Sequence, residues 1–321
     1  MSAALLLCAC GGDQSALLPA GSEATAVARL FWVMAAGAGL VWLVVVALAL
    51  YASRSRAHAP ASGRRLIVIG GGVVPTVVLG TLLVYGLPLM PALREPGAAD
   101  GLVVEVSGEQ WWWRVRYVDP RSRAGAVDAA NEVRLPVGER TTFRLSSPDV
   151  IHSFWIPALG GKMDMIPGRV TTLVLEPNRV GRWRGVCAEF CGASHALMAF
   201  DVEVMARADF DRWLAAQAAP AAAPAGGPAR RGRAHFVSSG CGACHAVRGD
   251  PGGGSGRYGP DLTHVGSRPS LAAGTLPNDA PAFRAWIERT HRIKPEALMP
   301  AFDMLPADEL DAMAAYLESL Q

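Results

Sequence analysis

Residues 187–198 read CAEFCGASHALM and place Cys187, Cys191, His195 and Met198 at steps of four, four and three, with Glu189 between the two thiols. Thiolate, imidazole and thioether together form the donor set that selects copper among the common biological metals. A structural zinc site or a disulfide would use the same cysteines. A mononuclear blue-copper loop needs one Cys, one His and one Met, with a second His from elsewhere. This loop has one Cys more, and the extra thiolate can bridge a second copper. The missing imidazole is His152 in SSPDVIHSFWIP, which a β-sandwich can fold back to the loop.

A second cysteine pair lies in CGACH. The pattern C-x-x-C-H reads as c-type haem attachment, with thioethers from Cys241 and Cys244 and His245 as the proximal iron ligand. A redox dithiol that happens to precede His is the alternative. The sixth ligand is assigned to Met299 in KPEALMPAF, because Pro300 stops a helix there and leaves the thioether on a loop. Met304 lies close by, and Met313 falls inside the helical pattern of Leu305–Leu320, where it reads as core. His264 and His291 read as surface residues.

Three kinds of segment must position these groups. GLVVEVSGEQWWWRVRYV, NEVRLPVGERTTFRLSS and RVTTLVLEPNRVGRWRGVC alternate apolar and polar residues between Gly, Pro and Asn, which is the pattern of a β-sandwich. A metal loop between late strands of a sandwich is the cupredoxin arrangement. ARRGRAHFVSSGCGACH reads as a helix leading into the haem attachment, and LPADELDAMAAYLESL as a capped amphipathic helix, so residues 231–321 resemble a small all-α class I cytochrome c domain. Leu30–Ala52 and Leu66–Leu93 hold no Lys, Arg, Asp or Glu, and each exceeds the roughly 20 residues that cross a bilayer. They predict a transmembrane hairpin within residues 26–93, in keeping with 51% hydrophobic residues and a mean hydropathy of +0.23.

Arg54, Arg56, Arg64 and Arg65 lie between the two spans without an acid, which assigns that loop to the cytoplasm and everything after Pro91 to the outside. Residues 94–213 carry 15 basic and 16 acidic side chains, and 231–321 carry 9 and 10. The net charge of +2 therefore belongs to the membrane segment and linker, and no nucleic-acid-binding surface is indicated. Residues 214–230, with Pro220, Pro224 and Pro228 among Ala and Gly, read as a spacer, with a helical extension of the preceding domain as the alternative. As a coil it spans about 20–24 Å, and fully extended about 50 Å. Residues 1–25 form a leader and N-terminal segment. Leu7-Cys8-Ala9-Cys10-Gly11 resembles a bacterial lipoprotein signal, with Cys10 as the lipidated residue, although no basic residue precedes the apolar run.

GEQWWWRVRY, DVIHSFWIPALGGKMDMIPGR and CAEFCGASHALM together closely resemble subunit II of cytochrome c oxidase, over residues 13 to about 213, and the appended haem domain resembles the caa-type oxidases. The resemblance implies a binuclear CuA centre. Cys187 and Cys191 bridge the coppers, His152 and His195 bind one each, and Met198 and the main-chain carbonyl of Glu189 are the weak ligands. It implies that the Glu189 carboxylate also faces a Mg or Mn ion at the boundary with subunit I, and that electrons enter through Trp111. Implied partners are subunits I and III, the membrane, and cytochrome c or an upstream respiratory complex as donor. The implied activity passes electrons to haem in subunit I, where oxygen is reduced with proton pumping. Two features depart from the family: RRLIVIGGGVVP lacks the acid that family members carry near a proton path, and the segment after the tryptophans holds Arg114, Arg116, Arg121 and Arg123 where family members are often acidic.

Overall fold

The computed structural model describes residues 11–54, 63–88, 101–122 and 125–321. Cys8, Cys10, Arg56, Arg123 and the expected end of the second span at residues 89–93 lie outside them. Two helices, α1 (Ser22–Arg54) and α2 (Gly63–Gly86), are long and apolar enough to cross a membrane. Phe31, Trp32, Trp42, Leu66, Ile67 and Leu79 face outwards; a helix apolar on all sides suits lipid. The Gly70-Gly71-Gly72 run forms a π-helical stretch at Ile69–Val73, directly before Pro75 in the first turn of the α-helix that follows. That wider turn gives room for a ring that would otherwise meet the carbonyl one turn back. Among the described residues the helix ends at Gly86.

The sandwich is built from β1 (Val103–Glu109), β2 (Trp112–Val118), β3 (Ala126–Ala130), β4 (Glu132–Pro136), β5 (Thr141–Ser146), β6 (His152–Trp155), β7 (Met163–Met165), β8 (Thr171–Leu175), β9 (Gly181–Cys187) and β10 (Ala199–Met205). One sheet runs β3-β2-β1-β5-β8 and the other β4-β10-β9-β6-β7. Alternate residues of β1 and β2 are buried, as a half-buried strand requires. Trp113, Phe154 and Phe200 meet in the core, with Phe154 stacked on Phe200 at 4.8 Å and Trp113 edge-on to Phe200 at 5.1 Å. Residues 11–24 lie on this sandwich: Ala20 N–H donates to Ala158 O at 2.7 Å, and the Glu23 carboxylate accepts from Glu176 N–H at 3.0 Å.

Helix α3 (Arg207–Ala218) follows β10, and α4 (Gly227–Ser238), α5 (Ala280–Ile293) and α6 (Ala307–Ser319) make the second core with a short ribbon of β11 (Ser270–Leu271) and β12 (Leu276–Pro277). Phe236, Phe283, Ile287, Met313, Tyr316 and Leu317 are buried together there. The spacer expected over 214–230 is shorter and is fixed at one end. Helix α3 runs to Ala218 and α4 begins at Gly227, leaving only 219–226 outside a helix. Alanine favours helix, so α3 continues until Pro220, which disfavours helical geometry in the residue before it. Pro228 sits in the first turn of α4, where its missing N–H costs nothing. Ala221 N–H donates to Arg248 O at 2.8 Å, and His264 Nε2–H donates to Ala219 O at 3.0 Å. His264 is therefore buried, against the expectation of a surface residue; the main-chain carbonyl of the connection gives its imidazole a partner.

Candidate metal centre

The loop 187–198 is the turn between β9 and β10, closed by Cys187 N–H donating to Met198 O at 2.9 Å. β6 runs antiparallel to β9 with Phe154 opposite Cys187, which brings His152 alongside the loop. Cys187 Sγ and Cys191 Sγ lie 3.8 Å apart, far beyond the ~2.05 Å of a disulfide. Around them stand His152 Nδ1 at 3.8 Å from Cys187 Sγ, Glu189 O at 3.3 Å from Cys187 Sγ, His195 Nδ1 at 3.5 Å from Cys191 Sγ, and Met198 Sδ at 3.9 Å from Cys191 Sγ. The donor atoms of His152, Cys187 and Cys191 all fall within 4.8 Å of one another, and the three residues are buried.

Two thiolates, two imidazoles, a thioether and a carbonyl exceed what one tetrahedral zinc takes. Two ions held by both sulfurs would use them all, with one imidazole and one weak donor available for each. The chemistry of the thiols agrees. The hydrogen bond with the Cys191 thiol, together with His152 and nearby main-chain groups, holds Cys187 well below the usual thiol range against the opposing effect of burial. Cys191 is pushed up because its neighbour is already charged and because it is buried. Cations bound at the two sulfurs would displace that remaining proton.

Asp149 is a member of the site that the sequence reading did not single out. Its Oδ1 accepts from His152 Nε2–H at 2.8 Å and its Oδ2 from Gln110 N–H at 2.7 Å. Burial disfavours its charge, but these donors hold it below the usual carboxylate range. The effect on His152 is to fix the tautomer, leaving Nδ1 bare toward the sulfurs. The spacing of three residues in DVIH was the available signal. Trp111 is buried, and both its Nε1–H and the Gln110 side chain donate to Cys191 O, at 3.0 and 2.7 Å. Its indole therefore braces the loop from the side of β2. The Glu189 carboxylate points outwards, 3.8 Å from Lys162 Nζ, which also contacts Asp164 at 3.0 Å. Asp149→Ala is expected to weaken metal binding by about ten- to hundredfold, measured by competition with a chelator, while the fold is retained. Unchanged affinity would remove Asp149 from the site.

In the helical domain Cys241, Cys244 and His245 share one turn after α4. His245 Nδ1–H donates to Pro260 O at 2.9 Å, which leaves Nε2 as the free lone pair. Burial lowers the basicity of this ring and favours the neutral, ligating form. A Cβ at Gly259 would stand 2.5 Å from His245 Cε1, so only glycine lets the chain pass there. Met299 is half-buried against this core, whereas Met304 is exposed and Met313 is packed inside α6.

Comparison with known proteins sets these sites in context. The description "Cytochrome C oxidase subunit II, periplasmic domain" matches residues 120–205, and "Cytochrome c" matches residues 229–321. Cytochrome c oxidase subunit 2 of Alkalihalophilus pseudofirmus is 36% identical over 265 residues, covering 81% of this chain and 74% of that one. The chain belongs to the cytochrome c oxidase subunit II family. Subunit 2 of Bacillus subtilis is 30% identical over 275 residues, covering 81% and 76%. The crystal structure of the periplasmic domain of subunit II from Bradyrhizobium japonicum is 27% identical, covers 38% of this chain and 95% of that one, and gives a TM-score of 0.35. As a subunit II with a cytochrome c domain at its C-terminus, the chain is part of an oxidase that needs further subunits.

Proposed function

We propose that this chain is the electron-accepting subunit of a caa-type haem–copper oxidase. It would hold haem c and a binuclear CuA centre in series between a donor, cytochrome c or an upstream respiratory complex, and haem in subunit I, where oxygen is reduced to water with proton pumping. The observation that carries this reading is the convergence of His152, Cys187, Cys191, His195, Met198 and Glu189 O on one buried pair of sulfurs, in a chain that also carries CGACH. When bound, the two cofactors supply one-electron carriers. The protein's part is to fix ligands so that geometry barely changes with oxidation state: Asp149 sets His152, Trp111 and Gln110 hold Cys191 O, and Pro260 O sets His245. Cys241 and Cys244 would attach the haem, and His245 and Met299 would supply donors to its iron. Trp111 is the aromatic beside the centre through which electrons enter.

A copper chaperone or thiol oxidoreductase needs an accessible sulfur, and here Cys187 and Cys191 are 6% and 3% exposed. The outward Glu189 carboxylate is the residue that would reach a Mg or Mn ion shared with subunit I. Arg54 and Arg56 with Arg64 and Arg65 place the loop between the spans in the cytoplasm, so that the hairpin anchors both redox domains outside the bacterial cytoplasmic membrane; Cys10 would add a lipid anchor. Rapid mixing of the purified oxidase with a reduced donor tests the series. The haem c band should be reduced first and the near-infrared copper band next. Reduction of haem in subunit I with the copper band unchanged would contradict the assignment.

A further inference from the structure

Helix α3 and the sandwich form one compact unit with the haem domain, and the contacts that join them are built rather than incidental. Ala272, Ala273 and Gly274 are three consecutive residues in the left-handed region, at φ of 52°, 61° and 75°. Two of them are not glycine, so the turn is strained and persists only where its surroundings fix it. Each of its carbonyls has a donor. Ala273 O accepts from Ala199 N–H, the residue after Met198, at 3.1 Å. Gly274 O accepts from Arg184 Nη2 of β9 at 2.9 Å. Ala272 O accepts from the buried Lys294 Nζ at 3.0 Å. A Cβ at Gly274 would stand 3.0 Å from the Arg184 guanidinium, on a backbone that already favours glycine.

Further contacts surround this turn. Ser194 Oγ–H, fully buried in the metal loop, donates to Pro295 O at 2.6 Å. Ser270 Oγ–H donates to the Asp201 carboxylate of β10. Arg268 and Glu132 are both buried and of opposite charge, each within reach of the other's field, and Pro269 lines one small cleft with Glu132, Arg134 and Asp201. Arg114, in the segment whose basic character departs from the family, donates to Arg257 O at 2.6 Å. Main-chain carbonyls of the haem domain thus meet arginines and N–H groups of the copper domain.

We propose that residues 268–275 are a docking latch that holds the haem domain seated on the metal loop, so that residues 219–226 connect the domains without being what keeps them together. Ser270 and Arg184 are positioning residues. Most of its contacts run to carbonyls or are buried, so salt screens them little.

The test uses the full membrane-bound chain with a protease site placed within 222–226. After cleavage the haem-bearing fragment should co-elute with the membrane fragment in size-exclusion chromatography at low micromolar concentration, with and without added salt. Release of the cleaved wild-type fragment would overturn the latch. Ser270→Asp sets a carboxylate against Asp201, and its cleaved fragment should bind about a hundredfold more weakly, since like charges placed face to face repel. The haem spectrum confirms that the variant domain is folded, and Asp201→Asn added to it should restore retention. Arg184→Ala, on the copper-domain side, should weaken retention without touching the haem domain. Retention unaffected by both variants would also overturn the assignment. Because the readout is association, it separates the latch from the electron-transfer reading.

Discussion

Cys191→Ser is expected to abolish the proposed shared copper centre. A serine hydroxyl neither carries the charge of a thiolate at neutral pH nor bridges two soft ions. Cys191 Sγ also contacts His195 Nδ1 and Met198 Sδ, at 3.5 and 3.9 Å, so its loss removes the sulfur that both of these donors face. Cys187 loses the partner that lowers it, and its thiol becomes harder to ionise. Oxygen consumption with a reduced donor should fall by at least about a hundredfold, the equivalent of ~2.7 kcal/mol in barrier. The covalent haem should be unaffected, because Cys241 and Cys244 belong to a separate core. Optical and electron paramagnetic resonance spectra of the purified variant check both statements. A variant that keeps a mixed-valence copper signal would remove Cys191 from the bridge.

The second large effect concerns His245. His245→Ala leaves both thioether-forming cysteines in place but removes the imidazole that Pro260 O orients at 2.9 Å. A bound haem would lose the proposed donor to its iron, and the small domain loses the side chain around which Gly259 is shaped. The variant should show a high-spin haem spectrum and at least a hundredfold slower electron delivery from a reduced donor, about 2.7 kcal/mol. Met299→Ala is milder: haem stays attached and low potential replaces high, because a Met/His ligand pair raises the potential of a cytochrome. Redox titration separates the two. An unchanged potential in Met299→Ala would return Met299 to a packing role.

The parts of the fold legible in the sequence are those written in short periods. The alternation in GLVVEVSGEQWWWRVRYV gives β1 and β2, and the four-four-three spacing of Cys187, Cys191, His195 and Met198 gives the loop that β9 and β10 close. CGACH, too, is local. What was not legible depends on distant pieces of chain meeting. His264 reads as a surface residue until α3 ends beside it and Ala219 O becomes its partner. Residues 214–230 read as a flexible spacer because Pro, Ala and Gly form no apolar face. Yet alanine lengthens α3, and the prolines mark where helices stop and start. Asp149 and Lys294 carry no motif of their own; the first is defined by the turn before β6 and the second by the docked turn at Ala272.

Metal analysis combined with electron paramagnetic resonance of the membrane-bound oxidase, as isolated, tests the central claim most directly. With four further donors around two sulfurs 3.8 Å apart, the proposed centre predicts about two copper ions in this chain for each covalent haem, with one unpaired electron spread equally over both nuclei. One zinc ion in place of copper, or the hyperfine pattern of a single isolated copper, would contradict it.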